Sequence, residues 1–89
     1  MKKVDLNFEL KDLAGNSIGN AGQILAVILM AETKGDSIKF FDWSMTLHKL
    51  EPIEVDNSDL SKIKDVVNNT ERVTLLIKAQ FLKHFETLK

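Results

Sequence analysis

The chain has 89 residues, 13 acidic and 12 basic side chains, two histidines and no cysteine, so a single domain must fold by packing or self-association, without disulfides. Its formal charge of −1 argues against general nucleic-acid binding, which requires clustered lysine and arginine. The longest mostly apolar stretch, residues 24–31, is far shorter than the ~20 residues that span a bilayer, so we expect no membrane partner.

The N-terminal segment carries the clearest strand pattern. Across residues 4–10, apolar side chains alternate with polar ones, which predicts a strand whose buried face includes Leu6 and Phe8. A turn-type Gly-Asn pair follows at residues 15–16. The pattern therefore predicts a β-hairpin with a short return strand around residues 17–18.

The first helix is predicted to begin after Asn20. Asn20 and Gln23 have the spacing of a capping box, in which each side chain bonds to the other residue's backbone N–H. The helix is apolar nearly all round, which is typical of a central buried element, so we expect Leu25 to lie in the core. Gly35 is predicted to cap its C-terminus in a left-handed conformation, and Asp36 to cap the next helix at once.

The second helix is predicted over residues 37–50. It stops before Pro52 because the residue preceding a proline avoids helical geometry. Residues 53–55 alternate in polarity and are a candidate for a short third strand.

Two further helices complete the predicted fold. The third is capped by Asp56, Asn57 or Ser58. Its apolar stripe consists of Leu60, Ile63, Val66 and Val67. Thr70 is predicted to cap the last helix, which runs from about residue 71 to near the C-terminus. Residues 1–89 are thus predicted to form one α+β domain, with an N-terminal hairpin, with or without a third strand, packed on about four helices.

Patterns that suggest a metal or catalytic site each have a structural explanation. His48 and His84 lie in different predicted helices, on polar strips typical of surface histidines, and no spacing joins them as metal ligands. Residues 12–16 lack the alternating oxygen ligands of a calcium loop, and the acidic group at residues 56–59 is explained by helix capping. Ser44 precedes His48 by four residues, but no third orienting group is indicated. We therefore predict no catalytic residue, cofactor or metal.

Apolar side chains cover more helix surface than one small core needs. At ~100° per residue, one side of the second helix carries Phe40, Trp43, Leu47 and Leu50. The nearly opposite side carries Ile38, Phe41 and Met45. The C-terminal helix likewise has a broad stripe of Val73, Ile77, Phe81, Phe85 and Leu88, with more apolar residues around it.

Two interpretations of the doubled faces stay open. Each helix is sandwiched between neighbours of the same domain, or one side binds a partner, since few helices of so short a chain can be covered on both sides. We assign the side with Trp43 to the core because it is longer and contains the tryptophan. That choice leaves Ile38, Phe41 and Met45, with the excess apolar surface of the C-terminal helix, as the candidate interface.

Three segments resemble small proteins encoded in bacteriophage and prophage gene clusters, among virion-structural genes. They are residues 6–18, 34–43 and 75–82. The resemblance implies a non-enzymatic assembly or accessory role, in the host cytoplasm or in the virion. No apolar segment typical of a signal peptide follows the basic residues Lys2 and Lys3, so we expect a cytoplasmic location.

Three classes of function are compared. The favoured one is an interaction or assembly protein that uses its apolar helical faces to bind a protein partner or a second copy. The alternative is a regulatory protein that binds another regulator or nucleic acid, which would need a basic patch that the balanced charge disfavours. An enzyme using Glu32 or Asp42 would need a polar pocket that raises the pKa of the carboxyl group, a feature that a sequence alone does not show.

Overall fold

The computed structural model describes residues 1–88. In chain order they form β1 (Lys2–Val4), β2 (Glu9–Lys11), β3 (Ser17–Asn20), α1 (Ala21–Met30), α2 (Ser37–His48), β4 (Ile53–Val55), α3 (Asn57–Asn69) and α4 (Leu75–Glu86). Strands β2 and β3 form an antiparallel hairpin, while β1 pairs antiparallel with the distant β4. The predicted α+β class, the hairpin and the third strand around residue 54 are confirmed.

The prediction of one continuous strand over residues 4–10 is wrong, because the chain leaves the sheet between β1 and β2. The Asp5 carboxylate accepts a hydrogen bond from Asn7 N at 2.9 Å, and Phe8 N donates to Leu6 O at 2.9 Å, so a tight turn replaces the ladder. The alternation still directs Leu6 inward, where it is buried, and packs Phe8 against the core. The apolar pattern therefore indicated the buried face and missed the break.

The turn at residues 5–8, between β1 and β2, caps helix α1. Its carbonyl groups at Leu6 and Phe8 accept hydrogen bonds from the first two N–H groups of the helix, at Gly22 and Ala21. Asn20 caps the next N–H as predicted, with its side-chain oxygen 3.1 Å from Gln23 N. These groups have no partner within a helix, so the turn satisfies donors that would otherwise lose their bonds. The Gln23 side chain does not close a capping box; it donates to His48 O at 3.2 Å and joins α1 to the end of α2.

Helix α1 ends before Gly35, the residue predicted to cap its C-terminus. Its last residue is Met30, and Gly35, with φ of 121°, lies in the connection to α2 and does not cap α1. A Cβ at Gly35 would lie 3.0 Å from the Phe40 ring, so the glycine lets this ring pack beneath the connection. Asp36 caps α2 as predicted, accepting from Lys39 N at 3.1 Å.

Helix α2 ends at His48 in a Schellman motif. Leu50 N donates to Leu47 O at 3.0 Å and Glu51 N to Thr46 O at 3.2 Å, the bond pair that defines this motif. Leu50 occupies the left-handed position, with φ of 66°, where glycine is usual. Its side chain is 43% exposed, so the assignment of Leu50 to the core is wrong: the helix ends before Leu50 could turn inward.

Replacing Leu50 by glycine is expected to raise the free energy of unfolding by up to about 1 kcal/mol, because relief of left-handed strain outweighs the extra chain entropy of glycine. Urea unfolding of the two proteins measures the difference. Leu50→Ala is the control, since alanine loses the same apolar side chain but keeps the strain. Equal losses in both variants would show that the contacts of Leu50 outweigh the strain.

The last two helices differ in how well their starts were predicted. Asp56 caps α3 with its side chain 2.7 Å from Asp59 N, one of the three predicted caps. The predicted start of the last helix near residue 71 is wrong, because Thr70 ends α3 and α4 begins only at Leu75. The Thr70 hydroxyl accepts from Arg72 N at 3.2 Å, which stabilises a bend where a helix was expected.

One core joins the helices to both strand pairs. Its largest fully buried side chains are Phe81, Phe85, Leu6, Leu10, Leu25, Ile28, Leu29, Leu47 and Ile63. Gln80 of α4 bonds twice to the backbone of Lys11 in β2, accepting from its N at 2.9 Å and donating to its O at 2.7 Å. Helix α4 is thus fixed against the hairpin, on a different side of the domain from the helix pair described next.

Candidate interaction surface

Helices α1 and α2 form an antiparallel pair whose outer side carries exposed apolar residues. These residues, named the α1–α2 face, are Val27 (64% exposed), Met30 (46%), Ile38 (73%), Phe41 (53%) and Met45 (47%). On α2 the spacing of three and then four residues places Ile38, Phe41 and Met45 on one stripe. On α1, Val27 and Met30 are three residues apart and occupy one side in the same way.

A shallow groove of about 240 Å³ runs between the two helices. Its lining consists of Ala26, Val27, Met30, Phe41, Ser44, Met45 and His48. Helix α1 has no charged residue, so that side of the groove offers only apolar contacts. The surface is therefore suited to a partner that brings apolar side chains of its own.

Ser44 is a polar side chain enclosed among these apolar residues. It is 4% exposed, and its hydroxyl oxygen is buried without a hydrogen-bond partner among residues 1–88. Although His48 follows Ser44 by four residues, the two side chains form no hydrogen bond, and His48 itself is exposed. A buried hydroxyl without a partner costs stability. Ser44 therefore lines the groove wall without forming part of a catalytic pair.

The structure buries one side of α2 and exposes the other, as predicted. Phe40, Trp43 and Leu47 are buried, whereas Ile38 and Phe41 are exposed. The C-terminal helix does not extend the candidate interface, because the groove is lined by α1 and α2 alone and α4 packs on α3 and β2. Its most exposed apolar residue, Leu75 (81% exposed), is a separate feature.

The open side of α1 was missed by the sequence analysis. The apolar character of α1 predicts a central buried element, and six of its ten residues are buried, but Val27 and Met30 face outward. No sequence signal distinguishes Val27 and Met30 from the buried residues of α1, because their neighbours from residue 24 to residue 29 are apolar as well.

The two histidines lie on different helices and have different surroundings. His84 is half-buried, contrary to the surface position expected for it, because its Nε2 lies 2.9 Å from Asp5 O and its ring centroid 4.7 Å from that of Phe8. These contacts join α4 to the turn after β1. Within the described 88 residues, no three His, Asp or Glu side chains are grouped so that they could hold a metal ion.

Two acidic side chains, Asp12 and Asp56, accept hydrogen bonds from backbone N–H groups. The Asp12 carboxylate accepts from Ala14 N and Asn16 N at 2.9 Å each, and the bond from Asn16 lowers the pKa of Asp12. The bond from Asp59 N likewise lowers the pKa of Asp56. The carboxylate of Asp12 thus stabilises the hairpin turn, and that of Asp56 stabilises the start of α3.

One ion pair joins α2 to α3. Lys39 Nζ lies 3.1 Å from Asp59 Oδ1, and this hydrogen bond raises the pKa of Lys39. Asp59 is buried, so the lysine compensates a carboxylate that is otherwise shielded from water. The pair holds α3 against α2 on the side of α2 away from the α1–α2 face.

The two carboxylates considered for an enzyme lie on different segments of the chain. Glu32 follows α1 in the connection to α2, and Asp42 lies on the outer flank of α2; both are exposed.

Among residues 1–88 no helix has the length and apolar character needed to cross a bilayer. A comparison of the chain with protein-family models, with characterised proteins and with solved structures finds no match.

Proposed function

We propose that this chain is a non-enzymatic interaction or assembly protein that binds a protein partner through the α1–α2 face. The observation that carries the proposal is the cluster of five large apolar side chains, each at least 46% exposed, on two adjacent helices. Isolated apolar residues on a surface need no explanation, but a contiguous patch is typical of a binding site. The proposal assigns no catalytic residue, cofactor or metal.

The composition of the face supports a protein partner over a small polar ligand. Met30, Phe41 and Met45 offer polarizable, adaptable contact area, and methionine and aromatic residues are enriched at the centres of protein interfaces. The groove is open along its length, whereas pockets for small molecules enclose most of the ligand and place several polar groups around it. An apolar helix or sheet face is the complementary surface.

The phage resemblance supports the same class of role. Proteins encoded among virion-structural genes are assembled or assist assembly, which requires a binding surface and no chemistry. On this proposal the chain acts in the cytoplasm of an infected host or within the virion.

The proposal is tested by photo-cross-linking in the cells that naturally produce the protein. A benzophenone analogue of phenylalanine replaces Phe41, whose exposed ring leaves room for the larger side chain. We expect a discrete covalent adduct of defined mass, formed because the ring lies against a bound protein. The adduct should disappear when Met45→Asp is added, since a charge in a packed apolar interface is costly.

The same analogue at Leu13 is the control. Leu13 is 95% exposed at the hairpin turn, away from the α1–α2 face, and should give no discrete adduct. Equal labelling at the two positions, or none at either, would contradict the proposal.

A further inference from the structure

We infer that the occupant of the α1–α2 face is a second copy of this chain, with the two α2 helices antiparallel about a twofold axis beside Met45. The inference rests on the proposed function and names its partner. It is carried by the charges that flank the exposed stripe of α2, because their order along the helix is complementary to itself.

Asp42 and Lys49 lie on one flank of the stripe. They are seven residues apart, which on a helix is about 10 Å along the axis and within about 20° around it. Ser44 lines the groove on the side of α1, and at ~100° per residue Asp42 lies on the opposite side of Phe41 from Ser44. Both charged side chains are exposed, and neither forms an ion pair within the part of the chain that the structure describes.

A twofold axis turns this pair into two intermolecular ion pairs. When α2 packs antiparallel on its copy with the axis between residues 45 and 46, Asp42 of each copy faces Lys49 of the other. A twofold interface pairs residue i with j and j with i, so both ion pairs form at once.

The apolar stripe fits the same register. Ile38, Phe41, Met45 and His48 follow one another at steps of three, four and three residues, the spacing that allows side chains of one helix to fit between those of another. The axis brings the two Met45 side chains together at the centre of the contact. With a net charge of only −1 per chain, two copies meet little long-range repulsion.

An unrelated partner helix would account for the groove but not for the charge order. Such a helix would carry its own charges, and nothing would require Asp42 and Lys49 to be mutually complementary. The second copy is the occupant for which α2, with its C-cap residue Lys49, already supplies both members of each pair.

Charge reversal tests the inference on the full-length chain. Sedimentation equilibrium is measured for the parent, for Asp42→Lys, for Lys49→Asp and for the double variant. Each single change turns two attractive pairs into two repulsive ones, so we expect the dimer dissociation constant to rise about tenfold, and less at high salt. The double variant restores both pairs with reversed polarity, and its constant should return to within about threefold of the parent value.

Asp65→Lys is the matched control, since Asp65 is an exposed aspartate on α3 that does not line the groove between α1 and α2, and it should leave dimerisation unchanged. A second measurement uses the absence of cysteine from the chain. Under mild oxidation Met45→Cys should form a covalent dimer faster than Leu13→Cys, because only residue 45 lies beside the axis.

A double variant that is no stronger a dimer than either single variant would overturn the inference. A parent that stays monomeric at high micromolar concentration would overturn it as well. In both cases the cross-link from position 41 decides separately on the proposed function: an adduct with a different protein leaves that proposal standing, and the lack of any adduct removes it.

Discussion

Leu25→Ala is expected to lower the free energy of unfolding by about 2–5 kcal/mol, because it removes a fully buried side chain from the centre of the core. Leu25 is 0% exposed and lies in the middle of α1, the helix that packs against both α2 and α3. Its neighbours belong to rigid helices, which cannot close fully over the space that the leucine leaves. The cost is therefore the lost burial together with that of a residual cavity.

Val27→Ala on the same helix is the matched control for Leu25→Ala. Both positions exchange an aliphatic residue for alanine, but Val27 is 64% exposed, so the change should stay within about 0.5 kcal/mol. Urea unfolding at a concentration where the protein is monomeric separates the two effects. A loss below about 1 kcal/mol for Leu25→Ala would show that the core is centred elsewhere.

Phe41→Asp is expected to weaken association through the α1–α2 face at least about 100-fold, while the monomer stays folded. An aromatic ring at the centre of an interface is a typical dominant contact, and a carboxylate there would be buried without a partner. Phe41 is 53% exposed in the single chain, so the carboxylate remains in water when no partner is bound. The free energy of unfolding should change by less than about 1 kcal/mol.

Light scattering over a concentration series measures the association, and circular dichroism checks that Phe41→Asp is folded. Leu13→Asp introduces the same charge at a residue that is 95% exposed on the hairpin, and it should alter neither quantity. An unfolded Phe41→Asp protein would place this side of α2 in the core and reverse the assignment of its two sides.

The helix starts were predictable wherever a short-range signal determines them. Asn20, Asp36 and Asp56 each accept a hydrogen bond from the N–H group three residues later, as their positions before the apolar periodicity indicated. Such a cap depends on four consecutive residues, so the sequence contains all the information that it needs.

One misplaced boundary depends on contacts between distant residues, and the other lies at a local bend. The strand expected over residues 4–10 breaks because the backbone at Leu6 and Phe8 bonds to the start of α1, more than ten residues later. Thr70 resembles a cap in sequence, yet it ends α3 and supports a bend at Arg72. Only in the first case does the partner lie outside any local pattern.

Of the candidate site, the part on α2 was predictable from the sequence and the part on α1 was not. The two sides of α2 could be told apart because only one side carries Trp43, the largest apolar side chain of the helix, and burial of that residue gains the most. Nothing comparable distinguishes the sides of α1, where Val27 and Leu25 are both aliphatic and only the packing of the neighbouring elements decides which is covered. The unpaired hydroxyl of Ser44 depends on that packing as well.

The pairing of β1 with β4 joins two segments that are far apart along the chain. Val4 faces Ile53 across this sheet, so the strands close a loop of about 50 residues, at an entropic cost that the neighbouring helices do not meet. Helices α1 and α2 follow each other closely along the chain and pack through local contacts, which we expect to form early during folding. On this expectation the surface proposed to bind a partner is built before the sheet that joins the N-terminus to the middle of the chain.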